Sequence, residues 1–422
     1  MRQFKNAIAE LLPGPVLSAY HFVLAAGAAL LFSFPSRHIT VIAVTGTKGK
    51  SSTIEFLNAI FEAAGWRTAL SSTIRFKIAE RSKPNRKRMT VPGRFFLQSF
   101  LARAVEAECG IAFVELTSES ARQYRHRFLE LDALLFINLA PEHIESHGSL
   151  QAYSDAKFEL GKQLARSKKR PRYMIANVED AESGRYLTLP VEHILPFSLA
   201  AAAPYEAREH GGFFTLAGER IEVSLPGAFS LKNALAAATL AHAMRLPLRH
   251  IAAGVQKLDK IPGRAEEIDE GQAFTVVVDY AHTPDSLQAI YAAYPGHRKI
   301  CVLGSTGGGR DIWKRPVMGS LAEKECETVI LTNEDPYDED PDAIVKMLAS
   351  GMKERRPEII MDRREAIRRA LSLARASDVV FVTGKGTDPT MQGPGGSSIK
   401  WSDADVAREE LRRLLENKPK DA

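Results

Sequence analysis

Hydrophobic positions along the chain alternate between two periods, and the switches between them outline an α/β protein. Ile39–Val44 (ITVIAV) is a β-branched apolar run, the mark of a strand buried on both faces. Thr45-Gly46-Thr47-Lys48-Gly49-Lys50-Ser51-Ser52 follows as a Gly-rich polar turn. Then Ile54, Phe56, Leu57, Ile60, Phe61 and Ala64 recur at helical spacing until Gly65. Similar strand-like runs at Ile111–Leu116, Ala133–Leu139 and Tyr173–Ala176, with helical segments between, predict a mostly parallel, doubly wound sheet.

Ser230–Ala243 reads as an Ala-rich helix, and the pattern breaks at Ile261-Pro262-Gly263-Arg264. A second α/β series then begins with Thr275–Val278, Lys299–Leu303, Thr328–Leu331 and Val379–Thr383. The expected organisation is an apolar helical segment over 1–38, a first α/β domain over 39–262 and a second over 263–422, ending in a polar tail from Asn417.

Val16–Phe34 is apolar apart from Ser18, Tyr20, His21 and Ser33. A helix of ~19 residues spans about 28 Å, close to a bilayer core. His21 lies inside it and Arg2, Lys5 and Arg37 flank it, so three readings stay open: a helix packed on the next domain, an in-plane membrane contact, or a span.

Composition adds little beyond class. The 422 residues are 45% hydrophobic and 25% charged with a net charge of +5, which permits anionic substrates but does not argue for nucleic acid. Cys109, Cys301 and Cys326 are sparse, odd in number and in no metal-ligand spacing, which suits a reducing, cytoplasmic setting.

Candidate chemistry sits at the ends of the strands. Backbone amides of a Gly-rich turn at a helix start bind phosphate, a lysine bridges the terminal phosphates and a Ser reaches magnesium. Gly49-Lys50-Ser51 supplies those parts, although Val44 stands where the general motif has its first glycine. Glu115, at the end of its run, suits a magnesium ligand or an ordinary strand terminus. Glu142, His143, Glu145 and His147 form a dense polar loop, and Lys157 by itself looks like a surface lysine on a helix.

Read together, these segments resemble the Mur ligase family, most of all its UDP-N-acetylmuramoyl-tripeptide synthetase branch. The motifs run in order from Thr45–Ser51 through Thr90-Val-Pro92, Glu115-Leu-Thr-Ser118, Asn138–His143 with His147-Gly148, and Tyr153–Lys157. They continue through Gly227–Asn233, Gly263-Arg264, Asp279–Asp285, Gly307–Pro316, Asp362–Ala366 and Gly384-Lys-Gly386. The resemblance implies a P-loop ligase domain followed by a Rossmann-like domain, with ATP in the cleft between them and no nucleic-acid partner.

It also implies roles. Gly46, Thr47, Lys48, Gly49, Lys50, Ser51 and Ser52 would hold the phosphates. Asn233 would face the adenine, and Arg264, Asp279 and His282 would close on the nucleotide. Ser51, Glu115, His143 and Lys157 would surround magnesium, with Lys157 carried as a carbamate, and Lys50, Glu115, His143 and Lys157 would form the catalytic set. Thr90, Ser118, Arg310, Asp335, Tyr337, Gly384 and Asp388 would meet the muropeptide-type acceptor and the amino acid. The expected reaction is ATP-dependent amide-bond formation through an acyl phosphate by a monomer.

Three departures qualify this. The relatives' Asp-Asn-Pro-Arg loop, whose arginine grips the second carboxylate of diaminopimelate, reads Glu334-Asp335-Pro336-Tyr337, in an acidic stretch that favours lysine or another cationic diamine. The relatives' Gly-Lys-Gly-His-Glu reads Gly384-Lys385-Gly386-Thr387-Asp388. Only 38 residues precede Ile39, where relatives carry a domain for the uridine nucleotide. An acceptor such as a lipid-linked muropeptide or a poly-γ-glutamyl chain is therefore the alternative within the class, and a non-catalytic nucleotide-binding protein the alternative outside it. The basic run Arg81, Lys83, Arg86, Lys87 and Arg88 reads as a solvated loop, or as a contact for pyrophosphate or an anionic membrane.

Overall fold

The computed structural model describes residues 14–87, 89–142 and 144–416. They divide into two compact units: residues up to Leu139 with Ser149–Ala202 and Asn233–Val255, and Ala140–Gly148 with Ala203–Lys232 and the chain from Gln256 onward.

The first unit is built on strands β1 (Thr40–Thr45), β2 (Thr68–Ser71), β3 (Arg75–Ile78), β4 (Arg81–Pro84), β5 (Ile111–Glu115), β6 (Ala133–Phe136), β7 (Tyr173–Asn177) and β8 (His193–Phe197). Their order in the sheet is β4-β3-β2-β5-β1-β6-β7-β8. From β2 to β8 the pairing is parallel, and the β-branched runs are buried because helices cover both faces. The register sets Val44 beside Glu115 and Thr45 beside Phe136. The turn after β1, the end of β5 and the loop after β6 therefore open on one edge of the sheet, where such sheets bind ligands.

Five helices of this unit matter for the site and its surroundings: α1 (Gly14–Leu31), α2 (Lys50–Ala63), α3 (Arg94–Glu106), α4 (Ser118–Arg122) and α5 (Leu150–Arg166). Thr117 caps α4 and is capped in return by Ser120, while the Ser149 side chain accepts the Ala152 amide to start α5. α1 ends where Ser33 and Phe34 adopt left-handed backbone. Among the described residues no helix is long and apolar enough to cross a membrane. Part of the basic run expected as a loop is instead the exposed edge strand β4, paired antiparallel with β3.

The second unit holds a three-stranded antiparallel sheet of β9 (Glu206–Arg208), β10 (Gly211–Leu216) and β11 (Glu219–Val223). Its main sheet comprises β12 (Glu266–Glu267), β13 (Thr275–Asp279), β14 (Lys299–Leu303), β15 (Thr328–Leu331), β16 (Glu358–Ile359) and β17 (Val379–Thr383), in the order β12-β13-β17-β14-β15-β16. Only β12 pairs antiparallel there, and a hairpin of β18 (Thr390–Gln392) and β19 (Ser398–Lys400) follows. Against the expectation of a reducing setting drawn from three sparse cysteines, Cys301 and Cys326 form a disulfide with Cα atoms 6.2 Å apart. Cys301 lies on β14, and Cys326 lies two residues before the neighbouring strand β15. Cys109 is free and buried.

Candidate active site

The phosphate loop is clamped from below by the chain after β6. The Thr47 amide is shared between the Asn138 carbonyl and side-chain oxygen, both at 3.0 Å, and the Lys48 amide donates to Asn138 Oδ1 at 2.9 Å. Asn138 Nδ2 returns a bond to the Lys48 carbonyl. Gly49 then turns with φ +82°, and a Cβ there would lie 2.3 Å from Asn233 Oδ1. A side chain at position 49 is thus excluded twice, by conformation and by contact. Asn233 is buried against the loop and accepts a bond from Thr53. Ser52 lies in the first turn of α2.

Two lysines converge on one carbonyl. Lys50 Nζ donates to Gly46 O at 3.1 Å and to Thr47 O at 2.9 Å. Lys157 Nζ donates to the same Gly46 oxygen at 2.7 Å and lies 4.7 Å from the centre of the Tyr153 ring. Tyr153 in turn bonds Thr47 through its hydroxyl. The surface lysine suggested by its helix alone is therefore corrected: Lys157 is 2% exposed, because this face of α5 lies against the loop. Like charges this close oppose each other, and an anion between them or neutralisation of one removes that cost.

Beside them Ser51 Oγ donates to Glu115 Oε2 at 2.8 Å, and Lys50 Nζ lies 3.9 Å from Glu115 Oε1. Glu115 also accepts the Thr73 amide at 2.9 Å and the Thr73 hydroxyl at 3.1 Å, and Thr73 Oγ1 meets Thr90 Oγ1 at 2.8 Å. One polar chain thus joins Ser51, Glu115, Thr73 and Thr90, three of them expected and Thr73 missed. Hydroxyl and carboxylate oxygens side by side are the hard donors magnesium takes, and it completes its shell with water and phosphate oxygens. Among the described residues no group of three or more His, Cys, Asp or Glu side chains is placed to hold a metal ion. His143 lies outside the described residues. Ser118 is buried at the start of α4.

Sequence reasoning also missed a cationic group beside Thr90. Arg125 donates to the Val91 carbonyl and, at 2.5 Å, to Gln123 Oε1. Burial, then the neighbouring Arg94, pulls its guanidinium down to about 10. Arg94 bonds His21 of α1 and donates to the Gln123 carbonyl at 3.1 Å. Burial and both arginines lower the His21 pKa. These contacts are non-local, and no spacing in the sequence announces them.

In the second unit Arg264, Asp279 and His282 come together. The Arg264 guanidinium lies 4.4 Å from the Tyr280 ring centre, and Asp279 accepts the Ala265 and Ala281 amides at 2.7 and 2.6 Å. His282 bonds the Tyr280 carbonyl through Nδ1 and Glu142 through Nε2 at 2.9 Å. Farther along, the exposed Arg310 sits 5.1 Å from the ring centre of Tyr337.

Asp335, expected at the substrate, is buried and engaged by Lys385 Nζ at 2.8 Å and the Gln392 amide at 2.7 Å. Lys385 also reaches Asp388 at 3.2 Å. Glu334 is buried with Thr306 donating at 2.7 Å, and burial raises its pKa against the pull of Arg363 and Lys385. Gly384 lies so close above it that a Cβ would fall 2.2 Å from Glu334 Oε2. Arg363 makes a two-point contact with Asp403 at 2.8 and 2.7 Å, while its buried Nη1 meets no hydrogen-bond partner among the described residues.

Residues 44–241 match the Mur ligase middle domain and residues 263–386 the Mur ligase glutamate ligase domain. The chain is 34% identical over 404 residues to a UDP-N-acetylmuramoyl-L-alanyl-D-glutamate–2,6-diaminopimelate ligase of Syntrophomonas wolfei, covering 92% of this chain and 81% of that one. It is 33% identical over 419 residues to a UDP-N-acetylmuramyl-tripeptide synthetase of Roseiflexus, covering 93% and 82%. A solved diaminopimelate ligase of the first kind superposes with a TM-score of 0.60 at 28% identity, covering 89% and 79%. The folylpolyglutamate synthase of Mycobacterium tuberculosis, complexed with ADP, shares the fold with a TM-score of 0.69 at 17% identity over 94% of both chains.

Proposed function

Because the chain belongs to the Mur ligase family of ATP-dependent amide-bond ligases, we propose that it adds an amino acid to the carboxylate of a muramoyl-dipeptide-like peptidoglycan precursor. The observation that carries this reading is the meeting of Lys50 and Lys157 on the Gly46 carbonyl beside the Ser51–Glu115 pair. A module that only held a nucleotide would have no use for the second buried lysine. Residues 39–262 act as the ATP-binding domain and 263–422 as the domain that meets the amino acid, in a monomer with peripheral membrane contact through 16–34.

The acceptor carboxylate attacks the γ-phosphorus, ADP leaves and an acyl phosphate forms. The amine of the amino acid then attacks the acyl carbon, and the tetrahedral intermediate expels phosphate. Lys50 neutralises the charge that moves onto the β/γ-bridging oxygen. Ser51 and Glu115 would hold magnesium, with His143 and a carbamate on Lys157 completing the set; when bound, the metal supplies positive charge against both transfers. Carbamylation joins the neutral Lys157 amine to CO₂ with loss of a proton, turning a cation into an oxygen ligand. Thr73 and the backbone around it fix the Glu115 carboxylate, and Thr90 ties that carboxylate to the acceptor side.

One observation favours a lipid-linked muropeptide as acceptor over a soluble nucleotide: α1 turns large apolar side chains outward within the same unit as the site. Incubation with ATP, magnesium, candidate acceptors and amino acids tests the reading. Phosphate release matched by a product one amino-acid residue heavier supports it, and release without such a product overturns it.

A further inference from the structure

α1 is packed inside out. Its buried positions are the small residues Ala25, Ala28 and Ala29, whereas Val16, Tyr20, Val23, Leu30 and Leu31 are 49, 52, 65, 66 and 67% exposed. Val16, Tyr20, Val23 and Leu30 are spaced by four, three and seven residues, with Leu31 beside the last, so they form one stripe along the outer face of a helix that carries no charged residue. A helix apolar all round is ordinarily covered on every side. Here the three alanines meet the protein together with Phe22, which packs on Tyr124 and Phe128, while the other large side chains meet whatever lies outside.

The surroundings select the occupant. Residues 11–54 contain no acidic side chain, and residues 81–105 contain seven Lys or Arg and no Asp or Glu. This basic stretch is physically continuous with α1. Arg94, at the start of α3, bonds His21 of α1, and the next residue, Phe95, is 43% exposed. The Phe96 ring lies tilted 4.7 Å from that of Phe76 of β3, and Lys87 Nζ sits 5.3 Å from the Phe96 ring centre. Phe76 pairs with Lys83 of the exposed edge strand β4, where Arg81 also lies. An apolar stripe joined to an edge where basic residues outnumber the nearby acids Glu80 and Glu119 is complementary to a negatively charged lipid surface; two such signals together give stable, reversible binding. A protein partner or a second copy would need no such bias in charge.

We propose that the first unit docks in the plane of an anionic lipid surface, burying the outer stripe of α1 with Phe95 while Arg81, Lys83, Arg86 and Lys87 meet the headgroups. The proposal rests on the peripheral-contact reading of 16–34 and adds its lipid class and second determinant. The full chain is sedimented with vesicles of phosphatidylcholine alone and of phosphatidylcholine with phosphatidylglycerol, at low and high salt. Binding confined to the phosphatidylglycerol vesicles and weakened by salt is expected. Val23→Glu with Leu30→Glu should abolish it, and Arg81→Glu with Lys83→Glu should weaken it by roughly tenfold or more.

Equal binding to both vesicle types, unmoved by the β4 variant, overturns the anionic proposal and leaves the peripheral contact standing. Binding to neither overturns both, as does a concentration-dependent dimer that the α1 variant dissolves without any lipid binding. Circular dichroism and ATP binding in the absence of vesicles, measured on the same variants, confirm that they are folded and keep the ligase reading separate.

Discussion

Lys157 is the residue whose environment differs most from its sequence context. Between Ala156 and Phe158 on a helix rich in charge it looks solvated, yet it is buried with its ammonium on the Gly46 carbonyl. Nothing local reports this, because the burying surface is the loop after β1, more than a hundred positions earlier. If it works as a carbamate, Lys157→Ala should lose ligation and added short carboxylates should restore part of it. Unchanged turnover in that variant would contradict the assignment. Lys50 was legible by contrast, since its neighbours Gly49 and Ser51 and the flanking strand and helix are all contiguous. Lys50→Ala should reduce turnover by orders of magnitude, as removal of a placed charge in a dry site does. Retention of more than roughly a tenth of the rate, a loss under about 1.4 kcal/mol, would locate the nucleotide elsewhere.

At the scale of elements, what could be read were strands buried on both faces, whose β-branched runs have no other use, and the helix that follows a Gly-rich turn. The antiparallel extension β2–β4 was not legible, because β4 is four exposed residues of no apolar pattern. With it went Thr73, which reaches Glu115 only once β2 lies beside β5. The loop Glu334–Tyr337 was legible as a departure, and its surroundings now bear on amino-acid choice. A second carboxylate would need a cation, and Arg363 and Lys385 already hold carboxylates. Arg363 is held by buried Asp403, a pair that costs about 3–5 kcal/mol to break, and Lys385 is held by Asp335 and Asp388. Arg310 remains over Tyr337, available to an α-carboxylate. In a competition assay lysine should therefore be incorporated in preference to diaminopimelate. A clear preference for diaminopimelate, the substrate named for several relatives, would show that this loop recruits a cation from outside its own surroundings.

For the molecule as a whole, two compact units with separate cores need not melt as one, so a single unfolding energy is not the natural quantity. The phosphate loop belongs to the first unit, as do the residues that hold it: Asn138 below it, Asn233 against Gly49, Lys157 and Tyr153 beside it, Glu115 and Thr73 at its end. A ligand bound only by the folded state stabilises it by mass action, about 2.7 kcal/mol at a hundred times its dissociation constant. Calorimetry with and without ATP and magnesium should therefore raise the transition that carries the first unit. Lys50→Ala should lose that rise while melting close to the native temperature without nucleotide, because its bonds to Gly46 and Thr47 are local and partly solvated. The two lysines predict opposite behaviour in the absence of ligand. Removing either relieves the repulsion at the Gly46 carbonyl, but only Lys157→Ala also leaves a cavity beneath the Tyr153 ring. A nucleotide-induced rise that persists undiminished in Lys50→Ala would mean that the loop after β1 is not where ATP is held.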